Sequence, residues 1–432
     1  MSALSRLCKA LGFKVSGSDA SYSETLEKLQ EEDVFCYAGH NLEVVRRADA
    51  VVYTAAVPED DEELRAAEEE GKIIIERGEF LGLAAAEFGK TVAVAGTHGK
   101  TTVTALTALL FKNAGLDFTA HIGGLANDLN GNYYSTGKEY FVTEACEYRK
   151  NFLHLNPDCA VVLNAEQDHP DCYKSLRELY EAFDGFLLNC ARRNGRIIIN
   201  GDCGYYKMHK CSYDNMRTFG FGSTNDCYPA DMCVRGGKYS FDIYMDNSKY
   251  AHIDSNMYGR HNVLNALALA LISEQFHIDK SVLIRTLNTF SGVSRRFEEI
   301  KTVNGARVFS DYAHHPDEIA ATVSAAREAG AERVVLYFQP HTFSRTLKYA
   351  DGFAAALAEA DKVTVVKTYP ARETPDQGMD GLELSRRVSL RKRCGYVKSL
   401  MAVASDIALT AREGDFIILT GAGDIDLVRY LI

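Results

Sequence analysis

The chain has 432 residues, 46% of them hydrophobic and 25% charged, the balance of a globular protein long enough for several cores. A net charge of −11 gives no general attraction to nucleic acid, and no apolar run reaches the roughly 18 residues of a membrane-spanning helix. Eleven cysteines, none in a Cys-x-x-Cys pair, speak against a disulfide framework or a structural zinc site and suit a reducing cytoplasm.

The opening segment, Met1-Ser-Ala-Leu-Ser-Arg-Leu-Cys-Lys9, is amphipathic and lacks a signal peptide's apolar stretch. Residues 1–86 then alternate strands with helices rich in Glu and Leu. Phe13–Asp19, Asp49–Thr54 and Lys72–Glu76 read as strands of a small parallel sheet.

A second block, 87–297, opens with the apolar run Thr91–Ala95, the loop Gly96-Thr97-His98-Gly99-Lys100-Thr101-Thr102 and an apolar helix from Val103. Strand, glycine loop and helix in that order suit phosphate binding. Backbone N–H groups point at phosphate oxygens, the lysine reaches the terminal phosphates, and the hydroxyl after it holds Mg²⁺. The first glycine of the full phosphate-loop pattern would fall at Val94, so an ordinary strand-to-helix turn stays open on this stretch alone.

Further strands are predicted at Tyr140–Glu144, Ala160–Asn164 and Arg196–Asn200, and a meander of antiparallel strands over 203–258. Glu144 closes one strand, and Asp168-His169 follow another. Acids at neighbouring strand ends can face phosphates and hold Mg²⁺, which usually takes oxygen ligands. Taken alone, Glu144 also reads as a plain strand-end acid and His169 as a capping or surface histidine. A helix over Asn262–Ile272 puts Asn262 and Asn265 on one face.

The third block, 298–432, carries predicted strands at Arg307–Ser310, Arg333–Phe338, Lys362–Val366 and Phe416–Thr420. Each runs into a polar or glycine-containing turn. The motifs are Asp311-Tyr-Ala-His314-His315-Pro316, Gln339-Pro-His341-Thr-Phe-Ser-Arg345-Thr346 and Thr420-Gly-Ala-Gly-Asp424. Pro316 with Asp317 and Glu318 also suits a well-capped helix start that needs no ligand. Histidines and arginines at successive strand ends suit anionic, carboxylate-bearing ligands. Before this block, Gly292-Val-Ser-Arg-Arg296-Phe-Glu298 reads as a basic hinge or as an arginine brought to nucleotide phosphates.

Together these motifs resemble the Mur ligases, ATP-dependent amino-acid ligases of peptidoglycan precursor synthesis. Gly-Thr-His-Gly-Lys-Thr-Thr is the family's form of the loop, which accounts for the missing first glycine. Glu144-Ala-Cys-Glu147, Asp168-His169 and Gly259-Arg-His-Asn262-Val-Leu-Asn265 follow in the family's order, and the third-block motifs resemble the alanine-adding branch. The resemblance implies an α/β protein of three domains: a Rossmann-like UDP-sugar domain (1–86), a central P-loop ATPase domain (87–297) and a Rossmann-like amino-acid domain (298–432).

It also implies ligation of L-alanine to the carboxylate of UDP-N-acetylmuramate through an acyl phosphate. Lys100 would hold the β- and γ-phosphates, within a nucleotide loop of Gly96, Thr97, His98, Gly99, Thr101 and Thr102. Thr101 and Glu144 would take one Mg²⁺ and His169 a second. Asn262, Asn265 and Arg296 match nucleotide contacts. Ser18, Asp19, His40 and Thr54 match the UDP-sugar region, and His314, His341 and Arg345 the substrate-facing part of the last domain. ATP and Mg²⁺ are the implied cofactors, the cytoplasm the implied compartment, with no nucleic-acid partner and no membrane insertion.

Two departures stand out. The family's Glu-Ala-Asp-Glu-Ser-Asp is here Glu144-Ala-Cys-Glu-Tyr-Arg149. The family's opening strand and Gly-x-Gly-Gly-x-Gly-Met-Ser turn meet this chain only at Met1-Ser2, so a truncated or alternatively started N-terminus is expected. The other readings are a ligase joining a preformed peptide to the same sugar, a folylpolyglutamate-synthase-like ligase, and a non-catalytic nucleotide-binding paralogue. The third-block motifs and the set Lys100, Thr101, Glu144 and His169 favour the alanine-adding enzyme.

Overall fold

A computed structural model describes residues 1–58, 60–167, 172–209, 213–371 and 373–432. They gather into two compact units, Met1–Tyr228 with Leu267–Thr286 and Pro229–Ala266 with Leu287–Ile432.

The first unit is built on a mainly parallel sheet. Its strands lie in the order Met216–Phe219, Arg196–Asn200, Cys159–Val162, Lys90–Ala95, Tyr140–Ala145, Phe118–Ala126 and Gly131–Ser135, with only the last pair antiparallel. Val92, Ala93, Val94 and Ala95 are fully buried, as a continuous apolar strand covered on both faces should be. The helix Lys100–Ala114 buries Val103, Leu106, Leu110 and Phe111 and stops at Gly115, whose φ of 70° suits a left-handed helix end. Across the sheet, the helix Leu176–Arg192 starts at Ser175, whose hydroxyl accepts from the Glu178 N–H. It contributes Phe183 and Phe186 to a core shared with Phe152.

The first block departs from the single sheet predicted for it. Ser16–Asp19 pairs with Phe35–Ala38, and Ala50–Tyr53 pairs with Ile73–Glu76; both are parallel, and they form separate sheets among the described residues. Each pair has its own small core, Leu26, Leu29, Val34 and Cys36 in one and Val45, Ala66 and Ala67 in the other. The 203–258 stretch also differs from an all-antiparallel meander. It begins with the helix Gly204–His209, and Met216–Phe219 then runs parallel to Arg196–Asn200. The antiparallel part is the hairpin Lys238–Met245 with Ser248–Tyr258, in the second unit.

The second unit's larger sheet runs Glu298–Val303, Ala306–Asp311, Asp415–Thr420, Arg333–Phe338, Lys362–Val366 and Cys394–Val397. All neighbours after the first pair are parallel. Asp311 and Phe338 both register with Thr420, so the turns after these three strands leave from one edge. No helix among the described residues is long and apolar enough to cross a membrane, and the described cysteines are all free.

Candidate functional site

The loop Gly96–Thr102 is shaped by two glycines and clamped by one asparagine. Gly96 has φ 148° and Gly99 φ 86°, values that L side chains rarely adopt. A Cβ on Gly96 would lie 3.1 Å from Leu163 Cβ. Asn164, two residues past the neighbouring strand Cys159–Val162, accepts from the His98 N–H at 2.8 Å, donates to the His98 carbonyl at 3.1 Å, and accepts at its own carbonyl from the Thr97 N–H. The Thr97 hydroxyl donates to the Glu166 carbonyl and accepts the Glu166 N–H. Asn164 was legible only as the end of a strand; its side-chain role was not.

Lys100 opens the helix, and its ammonium folds back on the loop. It donates to the Gly96 and Thr97 carbonyls and lies 2.9 and 3.1 Å from the two Glu147 oxygens. Glu147 is 2% exposed. Burial disfavours the lysine's charge, but the surrounding groups, Glu147 foremost with Cys146 and Glu144, together outweigh it and hold Lys100 above its ordinary value. Glu144 stands opposite Val94 in the strand register. Its Oε1 accepts the Gly123 N–H at 2.6 Å, and a Cβ on Gly123 would collide with that carboxylate at the same distance. Thr101 is 9% exposed in the helix's first turn. A hydroxyl and a carboxylate are oxygen donors of the kind Mg²⁺ takes, so this pair fits the ion. Asp168 and His169 lie outside the described residues, and no group of three or more His, Cys, Asp or Glu suited to a metal occurs among the described ones.

In the first block, Ser18 donates to Glu63 at 2.6 Å and His40 pairs with Asp61 at 3.0 Å. Both acids sit at the start of the helix Glu62–Glu69, Asp61 as its N-cap. Glu63 also accepts from the Tyr37 hydroxyl and the Asn41 N–H, a hub the sequence did not reveal. The Asp61 carboxylate raises the His40 pKa. Asp19 and Thr54 bond locally, to the N–H groups of Ser21 and Ala56.

The second unit holds the remaining predicted residues. Asn262 and Asn265 share a helical face and are joined, Asn265 donating to Asn262 Oδ1 at 2.7 Å. Arg296 and His314 converge on Glu318, at 4.0 and 3.4 Å, and Arg296 also lies over the Tyr312 ring. His314 meets His341 edge-on at 6.3 Å, and His341 stacks on Tyr369 at 5.7 Å. Arg345 lies one turn on, in the helix Phe343–Lys348. Arg295, the neighbour of Arg296, is largely structural: its guanidinium donates to the Gly421 and Gly423 carbonyls at 2.6 and 3.0 Å. Asp311 is buried beneath this edge and accepts N–H bonds from Phe297 and Ala313. Burial pushes its carboxyl up to about 6, with the Arg296 charge and the Ala313 bond pulling the other way.

Family models match along the length of the chain: the Mur ligase family catalytic domain at 1–89, the Mur ligase middle domain at 94–273 and the Mur ligase glutamate ligase domain at 295–423. A UDP-N-acetylmuramate–L-alanine ligase of Caldicellulosiruptor saccharolyticus is 36% identical over 100% of this chain and 95% of its own length. One from Lachnospira eligens is 36% identical over 98% and 94%. Among solved structures, the UDP-N-acetylmuramate–alanine ligase of Thermotoga maritima superposes with a TM-score of 0.85 at 27% identity, covering 100% of this chain and 95% of that one. A murein peptide ligase of Psychrobacter arcticus, 24% identical with a TM-score of 0.73 over 100% and 95%, shares the fold.

Proposed function

Because the chain belongs to the Mur ligase family, we propose that it joins L-alanine to the carboxylate of UDP-N-acetylmuramate at the expense of ATP, a step of peptidoglycan precursor synthesis. The observation that carries this reading is full-length identity of 36% to relatives bearing that name. The three working parts are placed at 1–86 for the UDP-sugar, 87–297 for ATP and 298–432 for the amino acid, and the cytoplasm is the proposed compartment.

The chemistry follows from what a carboxylate lacks. It has no good leaving group, so an amine cannot displace oxygen from it; transfer of the γ-phosphoryl group supplies one. Such transfer depends on positioning and charge neutralisation more than on covalent help. In the loop, the N–H groups that open the helix from Gly99 onward and the Lys100 ammonium would face the phosphates. Thr101 and Glu144 would hold Mg²⁺, which supplies charge neutralisation when bound, and His169 is proposed as a further ligand. Asn262, Asn265 and Arg296 would hold the nucleotide. His314, His341 and Arg345 would face the incoming amino acid and the acyl group, while Ser18, Asp19, His40 and Thr54 would hold the UDP-sugar.

The test is phosphate release by purified protein given ATP, Mg²⁺, UDP-N-acetylmuramate and one amino acid at a time. Release that needs the sugar and is greatest with L-alanine is expected. Preference for glycine or L-serine would revise the substrate, and no release with any amino acid would point to a non-catalytic paralogue.

A further inference from the structure

The Lys100 ammonium has three N–H donors, and its surroundings already use them. The Gly96 and Thr97 carbonyls take two directions and the Glu147 carboxylate the third, with both of its oxygens within 3.1 Å. Glu147 is not a loosely tethered acid. Its own carbonyl accepts from the Tyr173 hydroxyl at 2.5 Å and from the Lys150 N–H at 2.8 Å. Tyr173 is 1% exposed, and the turn that returns the chain to Lys150 puts Arg149 and Lys150 at φ 49° and 59°. A fixed backbone therefore aims a buried carboxylate at the one side chain that a phosphate needs.

We propose that Glu147 is a positioning residue that acts as a latch: it holds Lys100 folded onto its own loop, and an incoming nucleotide phosphate must take the ammonium from it. The inference rests on reading Gly96–Thr102 as the ATP loop. An anion arriving at the loop brings negative charge toward Glu147 as well as toward Lys100. Of the three acceptors, the carboxylate is the one repelled, so the exchange runs from Glu147 to phosphate while the two carbonyls keep the ammonium near the loop. The latch lowers affinity for any phosphate compound too weakly charged to open it, and leaves the phosphoryl-transfer step to Lys100 itself.

Calorimetric titration of wild type and Glu147→Gln with ADP and with sodium triphosphate tests this. The variant is expected to bind both about fivefold more tightly, the low end of ordinary coupling between two sites. Its KM for ATP should fall while kcat does not rise, and Glu147→Asp, which keeps the charge, should restore wild-type affinity at least in part. A merely structural glutamate would give weaker binding in both variants. Equal or weaker binding by a folded Glu147→Gln protein overturns the latch. If that variant does not fold, Tyr173→Phe, which loosens the Glu147 backbone, serves instead and should tighten binding in the same direction. Nitrogen-detected NMR of the Lys100 ammonium in wild type gives an independent reading: a slowly exchanging signal that moves on ADP addition is expected, and an unmoved signal overturns the latch. Failure of wild type to bind ADP at all would overturn the ATP reading, whereas binding without tightening in the variant overturns the latch alone.

Discussion

The loop Gly96–Thr102 of the first unit and the strand-end cluster of the second bury an acid in two ways. Each sits where parallel strands end, and each uses a glycine with an unusual backbone, Gly96 at φ 148° and Gly421 at φ 144°. Each also buries a carboxylate. Glu147 is neutralised by the Lys100 ammonium, whereas Asp311 is held by two backbone N–H groups, with Arg296 acting only through its field. The difference teaches what burial does to an acid. Glu147 meets its counter-charge at hydrogen-bond distance, while Asp311 has no such contact, and burial raises its carboxyl despite the Arg296 charge and the amide hydrogen bonds.

Removing the cation breaks the comparison most severely. Lys100→Ala takes away the proposed phosphate contact and should lower kcat by about 10³-fold in the phosphate-release assay. It also strands Glu147 without its counter-charge. A buried pair broken on one side costs about 3–5 kcal/mol, which urea unfolding would measure. A variant lacking Lys100 but as stable as wild type would show that Glu147 finds another partner.

In the second unit the matching test is His341→Ala. It removes the ring stacked on Tyr369 and set edge-on to His314. On the proposed assignment, KM for L-alanine rises about tenfold, the loss of one to two good polar contacts, with KM for ATP unchanged. An equal rise in both constants would place His341 in the scaffold rather than at the amino acid.

The two glycines sharpen the comparison further. A Cβ on Gly96 would sit 3.1 Å from Leu163 Cβ, a contact that a small shift relieves. On Gly421 it would sit 2.6 Å from the Gln339 carbonyl oxygen, which is backbone and cannot move aside cheaply. Both substitutions force an L side chain into a poorly tolerated conformation, at about 1–3 kcal/mol. Gly421→Ala should therefore fall at or above the top of that range and Gly96→Ala near its lower half, read as shifts in thermal unfolding.

How much of this was legible in the sequence follows the same division. Lys100, Thr101 and the loop glycines are consecutive, and an apolar strand and helix flank them, so a short window carries the whole motif. Glu147 stood in view beside Glu144, but its burial depends on a turn in which two non-glycine residues adopt positive φ, which no local pattern announces. Asn164 likewise acts through a sheet neighbour, the strand Cys159–Val162 lying beside Lys90–Ala95. In the second unit the motifs were visible one by one. Their meeting depends on Asp415–Thr420 inserting between Ala306–Asp311 and Arg333–Phe338, a strand order that sequence spacing does not encode. The first block's strands were partly legible, yet the single sheet expected there is two separate pairs, each closed on its own apolar residues.

Asp311 provides the smallest and most specific test of the contrast between the two acids. Its folded pKa of about 6 lies above the roughly 3.9 of an unfolded aspartate, so the folded chain binds the extra proton between those values. Its contribution to stability is then fully present below about pH 4 and is lost as pH rises through 6. Between pH 5 and pH 7 that loss amounts to about 1 kcal/mol. Asp311→Asn cannot titrate, so the stability of wild type relative to this variant should decline by about that amount over the same interval. The Asn carbonyl can still accept from Phe297 or Ala313, which keeps the variant close enough to wild type for the slopes to be compared. A flat difference curve would mean that the Arg296 charge and the two amide bonds offset the burial of Asp311 in full.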